Sequence, residues 1–474
     1  MDRLLVSAAH KSSGKTTVTL GLAAALTARG CTVQPYKKGP DYIDPMWLGR
    51  AAGRPCLNLD PYLMEDAALE RTFVQATRGA DLALVEGNKG LYDGLALDGS
   101  NSNAALARRL DLPVLLVIDA RGMTRGIAPL ILGYQAFDRQ VRIGGVVLNR
   151  LGGSRHEAKL RAVIEHYTDV PVLGAVAEDP RLAMTERHLG LMPCAEVDDA
   201  QLRVQSIGRV IGAQVDLDRI RSLAASAGPW PEAACAPSPA RARRPDLRIG
   251  IARDRAFGFY YPDDLAALEA AGAELVPIDT LRDAHLPALD GLFIGGGFPE
   301  ACMDALEANA ALRGALRDAI AGGLPTYAEC GGLMVLSRSI TWRGRTARMV
   351  GAIPGDTVMH ERPVGRGYVH LQETGAMPWG GGDGALVRGH EFHHSSLDNL
   401  DPSVGFAYRV RRGHGIDGQH DGVLVHNLLA SYAHLRTGAG AHWAPRFVDF
   451  VRSQRDRRAP AAMQTAQAMV ACGA

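Results

Sequence analysis

The sequence predicts an α/β protein of two domains, with a parallel sheet in the first. Short apolar runs that lack alternating polarity, such as those at 82–85 and 114–118, are separated in the first half by stretches of helical composition. Strands that are apolar on both faces are typical of parallel sheets covered by helices on both sides. A Pro- and Ala-rich stretch between 225 and 246 interrupts this alternation. A second series of strands and helices then begins at Leu247.

The length and composition fit this organisation. A chain of 474 residues is long enough for about two or three domains. We predict a first domain over residues 1–224, a linker over 225–246, a second domain over 247–455 and a flexible tail over 456–474, where bulky apolar residues become rare. Both domains are expected to be α/β.

The charge balance argues against nucleic acids and membrane surfaces as partners. The chain carries 52 Lys and Arg against 51 Asp and Glu, a formal net charge of +1, so it has no large field of one sign to attract polyanions. No apolar run reaches the roughly 18 residues of a membrane span, and the seven cysteines include no C-x-x-C pair. We therefore expect small-molecule partners and a reducing, cytoplasmic location.

A phosphate-binding loop is predicted near the N-terminus. A short apolar strand runs into Ala-His-Lys-Ser-Ser-Gly-Lys-Thr-Thr at 9–17, and an Ala-rich helix follows directly. A Gly-Lys-Thr at such a turn places backbone N–H groups against phosphate oxygens, with Lys15 on the β- and γ-phosphates and Thr16 on Mg²⁺. Ala9 replaces the first glycine of the motif, so the chain must enter the loop through another backbone conformation. The predicted ATP-binding residues here are Ser13, Gly14, Lys15, Thr16 and Thr17.

Two acidic positions follow strands of the same domain. Asp41 lies in Gly-Pro-Asp-Tyr-Ile-Asp-Pro at 39–45, and Glu86 directly follows the apolar run at 82–85. Open α/β sheets bind ligands at the carboxyl ends of their strands, and Mg²⁺ carried by ATP takes a few oxygen ligands while keeping several waters. We predict that Asp41 and Glu86, with Thr16, are magnesium ligands. The alternative for each acid alone is a turn or a helix cap.

The second domain carries a candidate nucleophile, Cys330. It stands between a strand end, Thr-Tyr-Ala-Glu at 326–329, and the helix start Gly-Gly-Leu. Such a turn presents a nucleophile above the sheet and lets backbone N–H groups stabilise its thiolate and an oxyanion. Gly331, with Gly296 and Gly297 from an upstream run of three glycines, is predicted to form the oxyanion site. The alternative for a lone cysteine is a buried structural thiol.

His434 is the candidate base for this cysteine. A carboxylate two positions later would often orient the imidazole, but Arg436 stands there. The base therefore works either as one half of a Cys–His dyad or with another group that orients it.

Seven motifs, in order and over nearly the whole chain, resemble the cobyrinic and hydrogenobyrinic acid a,c-diamide synthases. They are the phosphate loop, GPDYIDP, EGNKGLYDG, GLFIGGGFPE, AECGGL, GHEFHHS and LLASYAHL. The resemblance implies a dethiobiotin-synthetase-like ATP domain joined to a class I glutaminase-like domain without the usual third triad acid. It also implies that glutamine is hydrolysed at Cys330 through a thioester. Ammonia would then pass through an interior channel to a tetrapyrrole carboxylate that ATP has activated as an acyl phosphate.

The resemblance also implies roles for further residues. Lys37 is expected to stabilise transferring phosphoryl charge, and Asn149 to read adenine. The implied substrate residues are Tyr42, Asp44 and Asp93. Where many family members have small residues and Met between the Glu and Gly of EGNKGLYDG, the chain has Asn88 and Lys89. Lys89 either binds a substrate carboxylate or is solvated. The implied cofactors are ATP and Mg²⁺. The implied partners are a tetrapyrrole polycarboxylate and glutamine, which would bind beside the three glycines of the oxyanion site. A homodimer is a candidate assembly.

Three alternatives stay open. EGNKGLYDG and the segments at 98–103 and 413–422 are similar to a relative found with dissimilatory sulfite reductase and proposed to amidate sirohaem. The segment His-Glu-Phe-His-His at 390–394 formally matches a zinc-binding H-E-x-x-H, but no helical pattern surrounds it and the resemblance implies a strand near the glutaminase site. The third is a non-catalytic nucleotide switch with an inactive glutaminase domain, although His10 stands where deviant phosphate loops of that class carry a lysine.

Overall fold

The chain divides into two compact units, Met1–Ser238 and Pro239–Ala474. The computed structural model describes residues 1–187, 190–230, 244–379, 384–438 and 442–471. Each unit is an α/β structure around its own large sheet, which confirms the predicted fold class. Most of the expected linker, at 231–243, lies outside the described residues, so the predicted domain boundaries stay predictions.

The first unit contains a seven-stranded sheet in which all neighbouring strands are parallel. Its strands are β1 (Asp2–Ala8), β2 (Val33–Lys38), β3 (Leu57–Leu59), β4 (Leu82–Glu86), β5 (Val114–Asp119), β6 (Ile143–Leu151) and β7 (Val172–Ala177). The order across the sheet is β3-β2-β4-β1-β5-β6-β7. Every residue of β4 is buried, as expected for a central strand covered on both faces.

The helices of this unit pack closely enough to require glycine. They are α1 (Lys15–Ala28), α2 (Ile43–Ala52), α3 (Asp66–Thr77), α4 (Asn103–Arg109), α5 (Ile127–Phe137), α6 (Ser154–Tyr167), α7 (Ala200–Gln214) and α8 (Leu217–Ala225), with a hairpin of β8 (Glu186–Arg187) and β9 (Gly190–Leu191) before α7. A methyl group on Gly21 of α1 would lie 2.3 Å from Ile211 Cγ1 of α7. One on Gly208 of α7 would lie 2.7 Å from Ala24 Cβ of α1. Both glycines let the two helices approach.

The second unit contains a nine-stranded mixed sheet. The described strands of the whole unit are β10 (Leu247–Ala252), β11 (Phe257–Phe259), β12 (Ala273–Ile278), β13 (Gly291–Ile294), β14 (Gly296–Gly297), β15 (Thr326–Glu329), β16 (Ser339–Trp342), β17 (Arg345–Arg348), β18 (Asp356–Met359), β19 (Gly365–Glu373), β20 (Leu386–His393), β21 (Ser395–Asp398), β22 (Gly405–Arg412), β23 (His420–Val425) and β24 (Leu428–Ser431). The large sheet has the order β12-β10-β13-β15-β24-β23-β22-β19-β20. Neighbours from β12 to β24 are parallel, and those from β24 to β20 are antiparallel. β11 pairs with β14, and β17-β16-β18-β21 form a separate sheet.

An aromatic cluster fixes the strand that precedes Cys330. The helices of this unit are α9 (Pro262–Ala270), α10 (Met303–Ala308), α11 (Ala310–Ala321), α12 (Gly331–Leu336) and α13 (Trp443–Ala471). The Tyr327 ring of β15 stacks on Phe293 of β13 at a centroid distance of 5.3 Å. Trp443, at the start of α13, lies 4.9 Å from the same ring. The first turn of α13 therefore packs against the strand that leads to the nucleophile.

The C-terminal segment belongs to α13, which continues as a helix to Ala471, and the flexible tail expected over 456–474 stays a prediction. The first part of α13 is anchored by Phe447, Val448 and Val451, which are fully buried. Although α13 has 29 residues, no helix in the described part of the chain is long and apolar enough to cross a membrane.

Gly21→Ala is expected to destabilise the first unit by about 1–3 kcal/mol, because the added methyl group enters filled space at Ile211. The matched control is Gly133→Ala in α5, where nothing lies within 4 Å of an added Cβ. That change is expected to stabilise the unit by about 0.5–1 kcal/mol, since alanine loses less backbone entropy in a helix. Urea unfolding followed by circular dichroism measures both. Equal stabilities of the two variants would contradict the described α1–α7 packing.

Candidate active sites

The phosphate loop connects the end of β1 to the start of α1 through left-handed residues. Ser12 has φ 66° and Gly14 has φ 80°. A Cβ at Gly14 would lie 2.1 Å from Asn149 Nδ2, so this position requires glycine for both conformation and space. At the entry, where the motif's first glycine is missing, Ala9 is buried and its carbonyl accepts a hydrogen bond from the Tyr134 hydroxyl. Tyr134 of α5 therefore anchors the alternative entry.

Asn149, at the end of β6, holds the loop from the other side. Its Nδ2 donates a hydrogen bond to the Ser13 carbonyl at 2.8 Å, and the side chain is buried. The next residue, Arg150, donates to the Ser12 carbonyl at 2.9 Å. The resemblance implies that Asn149 reads adenine, whereas the structure gives its amide nitrogen a partner in the loop itself. The predicted loop residues and Asn149 are thus brought together.

The first turn of α1 presents Lys15, Thr16 and Thr17. The leading N–H groups of a helix have no partner within the helix, which is the arrangement that binds phosphate. The Lys15 side chain is 9% exposed. Burial and the neighbouring Lys37 ammonium lower the pKa of Lys15, while Thr17 lies partly buried in the same turn. A phosphate would supply the negative charge that Lys15 needs in this surrounding.

Lys37, the penultimate residue of β2, gathers the predicted acidic residues into one cluster. Its Nζ lies 2.5 Å from Asp44 Oδ2, 2.8 Å from Glu86 Oε1 and 3.8 Å from Asp41 Oδ2. The Thr16 hydroxyl donates to Glu86 Oε1 at 2.6 Å and approaches Asp44 Oδ2 at 3.3 Å. The structure therefore joins the phosphate loop, the GPDYIDP segment and the end of β4 at one edge of the sheet, where parallel strands place their carboxyl ends.

The cluster has more negative charge than Lys37 balances. Burial, and then the neighbouring Asp44 carboxylate, raises the pKa of Asp41 to about 7. Burial also works against ionisation of Asp44, but the Lys37 ammonium outweighs it and lowers the pKa of Asp44. Glu86 is fully buried, and its Oε2 has no hydrogen-bond partner. Asp41 and Glu86 thus both leave oxygen atoms that a second cation would stabilise.

The remaining predicted substrate residues lie in loops beside this edge. Tyr42 immediately precedes α2 and is partly buried. Lys89 has φ 43° and is exposed, as is Asp93, whose Oδ2 accepts a hydrogen bond from the Gly90 backbone at 2.8 Å. No contact joins Lys89 or Asp93 to the Lys37 cluster among the hydrogen bonds and ion pairs of the described residues.

Asn103, at the start of α4, is a residue that the sequence alone did not single out. Its Nδ2 donates to the carbonyls of Asn88 and Gly90, at 2.5 and 2.8 Å, and its Oδ1 accepts from the Asn88 N–H at 3.1 Å. It therefore fixes the backbone on both sides of Lys89. The signal in the sequence was the run Ser-Asn-Ser-Asn before a helix, which predicts a helix cap but not this long-range contact.

Cys330 occupies the strained turn that the sequence predicts. It lies between β15 and α12 with φ 48° and ψ −100°, a left-handed conformation that is costly for any residue with a Cβ. Its N–H donates to the Ser431 carbonyl at 2.7 Å, and the residue is 7% exposed. A methyl group on the following Gly332 would lie 2.2 Å from the Ile294 carbonyl oxygen. The backbone is therefore packed tightly around the nucleophile.

The predicted oxyanion glycines converge on Cys330 and His434. A Cβ on Gly331 would lie 2.9 Å from the Gly297 backbone nitrogen, and one on Gly296 would lie 2.6 Å from His434 Cε1. β14, which contains Gly296 and Gly297, is held by antiparallel pairing with β11. Side chains at these positions would separate the groups, so glycine is required here for close approach.

His434 lies beside a carboxylate that the sequence did not reveal. Its Nδ1 lies 3.1 Å from Glu329 Oε2, and its ring hydrogen-bonds the Cys330 side chain. Burial opposes protonation of the ring, but the hydrogen bonds to Cys330 and Glu329 raise the pKa of His434 to about 10. Glu329 directly precedes the nucleophile, whereas the usual place of a triad acid is two positions after the histidine. The only signal was an acid inside the AECGGL motif.

Arg436 serves a different purpose at the place where a triad acid often stands. It is fully buried, donates to Asp263 Oδ2 at 2.6 Å and lies over the Tyr261 ring at 4.8 Å. The guanidinium group therefore ties the segment after His434 to α9 and its start.

The segment at 390–394 lies in β20 and not in a helix. Its first residue, His390, forms a backbone bridge with His434, with N···O distances of 3.1 and 2.7 Å. The Glu391 carboxylate accepts hydrogen bonds from the backbone N–H groups of His414 and Gly415, at 2.7 and 2.9 Å. The helical geometry of a zinc-binding H-E-x-x-H is thus absent from this described segment. The strand supports the loop that carries His434, as the resemblance implies.

Two family models match the chain, one over each unit. A CobQ/CobB/MinD/ParA nucleotide binding domain matches residues 5–191, and a CobB/CobQ-like glutamine amidotransferase domain matches residues 248–441. A cobyrinate a,c-diamide synthase of Magnetococcus marinus is 47% identical over 96% of this chain and 98% of that protein. Those of Methanosarcina acetivorans and Dehalococcoides mccartyi are 42% and 40% identical, over 97% and 94% of this chain and 97% of each relative.

The chain belongs to the cobyrinate a,c-diamide synthase family. The first unit is therefore a nucleotide-binding domain and the second a glutamine amidotransferase domain, and the enzyme class is that of carbon–nitrogen ligases with glutamine as amido donor. These three relatives are named for cobyrinate, and they do not favour the sirohaem alternative. Nor does membership of a synthase family favour a non-catalytic nucleotide switch.

Cys330→Gly is expected to be more stable than Cys330→Ala by about 1 kcal/mol. Glycine relieves the left-handed strain, which costs about 1–3 kcal/mol, and this gain exceeds the added chain entropy of the unfolded state. Guanidinium unfolding of the two variants measures the difference. The control is Ala305→Gly in α10, an exposed helical position, where glycine should destabilise by about 1 kcal/mol. A Cys330→Gly variant that loses stability as Ala305→Gly does would contradict the strain.

Proposed function

We propose that this chain is a glutamine-dependent cobyrinate a,c-diamide synthase, which uses ATP to convert two side-chain carboxylates of cobyrinate to amides. The observation that carries the proposal is the presence, in one chain, of an assembled Cys330–His434 pair and of a phosphate loop joined to a carboxylate cluster. The names of relatives that match over nearly the whole chain supply the substrate. Cobyrinate carries several carboxylates, so a net charge near zero does not exclude it as a partner.

The glutaminase reaction is proposed to start at Cys330. His434 takes the thiol proton, and the thiolate attacks the side-chain amide carbon of glutamine. The N–H groups of Gly297 and Gly331 are the proposed donors to the resulting oxyanion. Collapse of the intermediate breaks the C–N bond, with a proton from His434 going to the leaving ammonia. Water then hydrolyses the thioester to glutamate and regenerates the thiol.

The ligase reaction is proposed to start at the phosphate loop. The γ-phosphoryl group of ATP is transferred to a substrate carboxylate, which gives an acyl phosphate and ADP. Ammonia then attacks the acyl carbon and displaces inorganic phosphate, which gives the amide. Lys15 and Lys37 are the proposed cations at the transferring group, where their ammonium charges offset the growing negative charge. Carboxylate is a poor electrophile without such activation, which is why ATP is required.

The Lys37 cluster also fits a magnesium ion that accompanies ATP. Mg²⁺ at nucleotide sites is held by one or two carboxylates together with phosphates and waters. The buried Oε2 of Glu86, which has no hydrogen-bond partner, and the raised pKa of Asp41, about 7, both support a cation here. Thr16, Asp41 and Glu86 are the proposed holders of Mg²⁺, which would supply neutralisation of phosphate charge.

The substrate is proposed to lie against the loops that follow β2 and β4. Asp44 and Tyr42 belong to the first loop and helix start, and Lys89 and Asp93 belong to the second. Lys89 is exposed, and Asn103 fixes the backbone on both sides of it, which supports a role in binding one of the substrate carboxylates. Asn149 is proposed to border the adenine site while it holds Ser13. A homodimer and a cytoplasmic location are further proposals, of which sedimentation tests the first.

Cys330→Ala is expected to lower glutamine-dependent amidation of cobyrinate by at least about 10³-fold, because no thioester can form. Amidation driven by added ammonium should continue at the wild-type rate. Mass spectrometry of the product from cobyrinate, ATP and Mg²⁺ measures both, and a parallel reaction with sirohaem tests the substrate. Cys302→Ala, a half-buried cysteine of the same unit, is the matched control. Glutamine-dependent amidation by Cys330→Ala would refute Cys330 as the nucleophile. Amidation of sirohaem but not of cobyrinate would refute the proposed substrate.

Glu86→Gln is expected to lower ATP-dependent amidation by about 100-fold or more with either nitrogen source. The change removes the charge that faces Lys37 and the proposed magnesium ion. Basal glutamine hydrolysis, measured as glutamate release, should be retained because Cys330 is untouched. Glu65→Gln, at an exposed glutamate of the same unit, should behave as wild type. Normal ammonium-driven amidation by Glu86→Gln would contradict the assignment.

A further inference from the structure

We propose that Glu329 is the positioning residue of the glutaminase centre, holding His434 in the tautomer that accepts the Cys330 proton. This inference rests on the proposed function, because it concerns the proton transfers of glutamine hydrolysis. Three features support it: the three contacts of the Glu329 carboxylate, the burial of the pair, and the engagement of the other nearby acids.

The two oxygens of Glu329 have separate partners. Oε2 faces His434 Nδ1 at 3.1 Å. Oε1 accepts the backbone N–H of Leu435 at 2.9 Å and the hydroxyl of Tyr327 at 2.6 Å. Glu329 and His434 are each 3% exposed, so water does not compete for these positions. The carboxylate is therefore fixed in rotation, with Oε2 directed at the ring.

A carboxylate oxygen accepts hydrogen bonds, so Nδ1 of His434 must carry the proton in this contact. In the neutral ring, the unprotonated Nε2 is then the nitrogen that takes the Cys330 thiol proton, and the raised pKa of His434 favours the protonated ring that results. When the thiol proton moves to Nε2, the charge on the ring is balanced by Glu329 at Nδ1. The same Nε2 proton later goes to the departing ammonia. In this scheme the proton moves only between the Cys330 thiol, His434 Nε2 and the leaving ammonia, and the Glu329 side chain touches neither glutamine nor the thiol.

The other titratable groups around His434 are engaged elsewhere. Asp421 accepts three backbone hydrogen bonds, from Gly422, Tyr432 and Ala433. Arg436 pairs with Asp263, and Asp264 of α9 accepts from the backbone of Thr437. His390 of β20 is the backbone bridge partner of His434, and burial, followed by the His434 charge, lowers the pKa of His390 to about 3. Within the described part of the chain, Glu329 is therefore the carboxylate that hydrogen-bonds the His434 ring.

Glu329→Gln is the sharpest test because glutamine has the same shape. The Leu435 N–H can be satisfied only by the amide oxygen of the new side chain, so its NH₂ group turns towards His434. That group donates to Nδ1 and stabilises the tautomer with the proton on Nε2, which cannot take the thiol proton. We expect kcat for glutamine hydrolysis to fall by about 10²–10⁴-fold, with little change in the KM for glutamine. Ammonium-driven amidation should stay at the wild-type rate.

The Glu329→Asp variant separates a role in orienting His434 from a purely structural role of the Glu329 side chain. If the carboxylate charge orients and balances the imidazolium, Glu329→Asp should retain more activity than Glu329→Gln, although aspartate is shorter and fits the Leu435 contact less well. A purely structural role predicts the reverse order, since glutamine preserves the shape. Glu269→Gln, at an exposed glutamate of α9, is the matched control and should hydrolyse glutamine as wild type does.

Alkylation of Cys330 by iodoacetamide at pH 7 provides a readout that does not need turnover. Only the thiolate reacts, so Glu329→Gln should slow modification of the Cys330 peptide, followed by mass spectrometry, by about tenfold or more. Thermal unfolding checks that each variant is folded, and the Glu329→Asp comparison remains if glutamine proves unstable at this position. Glutamine hydrolysis by Glu329→Gln within threefold of wild type, or alkylation at the wild-type rate, would overturn the inference. Failure of the wild type to hydrolyse glutamine would instead refute the proposed function, and the alkylation comparison would still test Glu329.

Discussion

Both centres depend on a left-handed turn between a parallel strand and the helix that follows it. In the first unit glycine adopts this turn, with φ 80° at Gly14. In the second the thiol is required, so Cys330 must take φ 48° in a conformation that disfavours a Cβ. The surrounding backbone holds it there by the hydrogen bond from its N–H to Ser431. Close approach of that backbone is what the glycines at 296, 297, 331 and 332 allow.

The second constraint is that buried charged groups need partners, and each unit supplies such partners from its own residues. Unpaired charges are costly away from water, and an ion pair stays stable there only with well-placed partners. Lys37 meets this need for Asp44 and Glu86, and its incomplete reach to Asp41, at 3.8 Å, explains why the pKa shifts of Asp41 and Asp44 have opposite directions. In the second unit Glu329 and His434 provide the same kind of mutual support.

The sequence predicted those parts of the sites that lie in short contiguous motifs. The phosphate loop, the Cys330 turn and the glycines beside it have local signals, because strand, turn and helix follow each other directly. The contact between Glu329 and His434 joins residues 105 apart, and it exists because β15 and β24 pair in parallel with Glu329 opposite Ser431. Periodicity does not reveal which distant strands pair. The bond from Asn149 to Ser13, across 136 residues, escaped prediction for the same reason.

Because Glu329 lies beside His434, an arginine at position 436, where a triad acid often stands, does not leave the imidazole without a carboxylate partner. Glu329 is the last residue of β15 and Cys330 follows it directly, so the position of this strand sets both side chains. The aromatic packing of Tyr327 against Phe293 and Trp443 then steadies both at once, and the Tyr327 hydroxyl holds the carboxylate. Position 436 has no part in the proposed proton transfers, and Arg436 there links the chain after His434 to Asp263. The carboxylate beside the imidazole therefore comes from the end of β15 and not from the segment that follows His434.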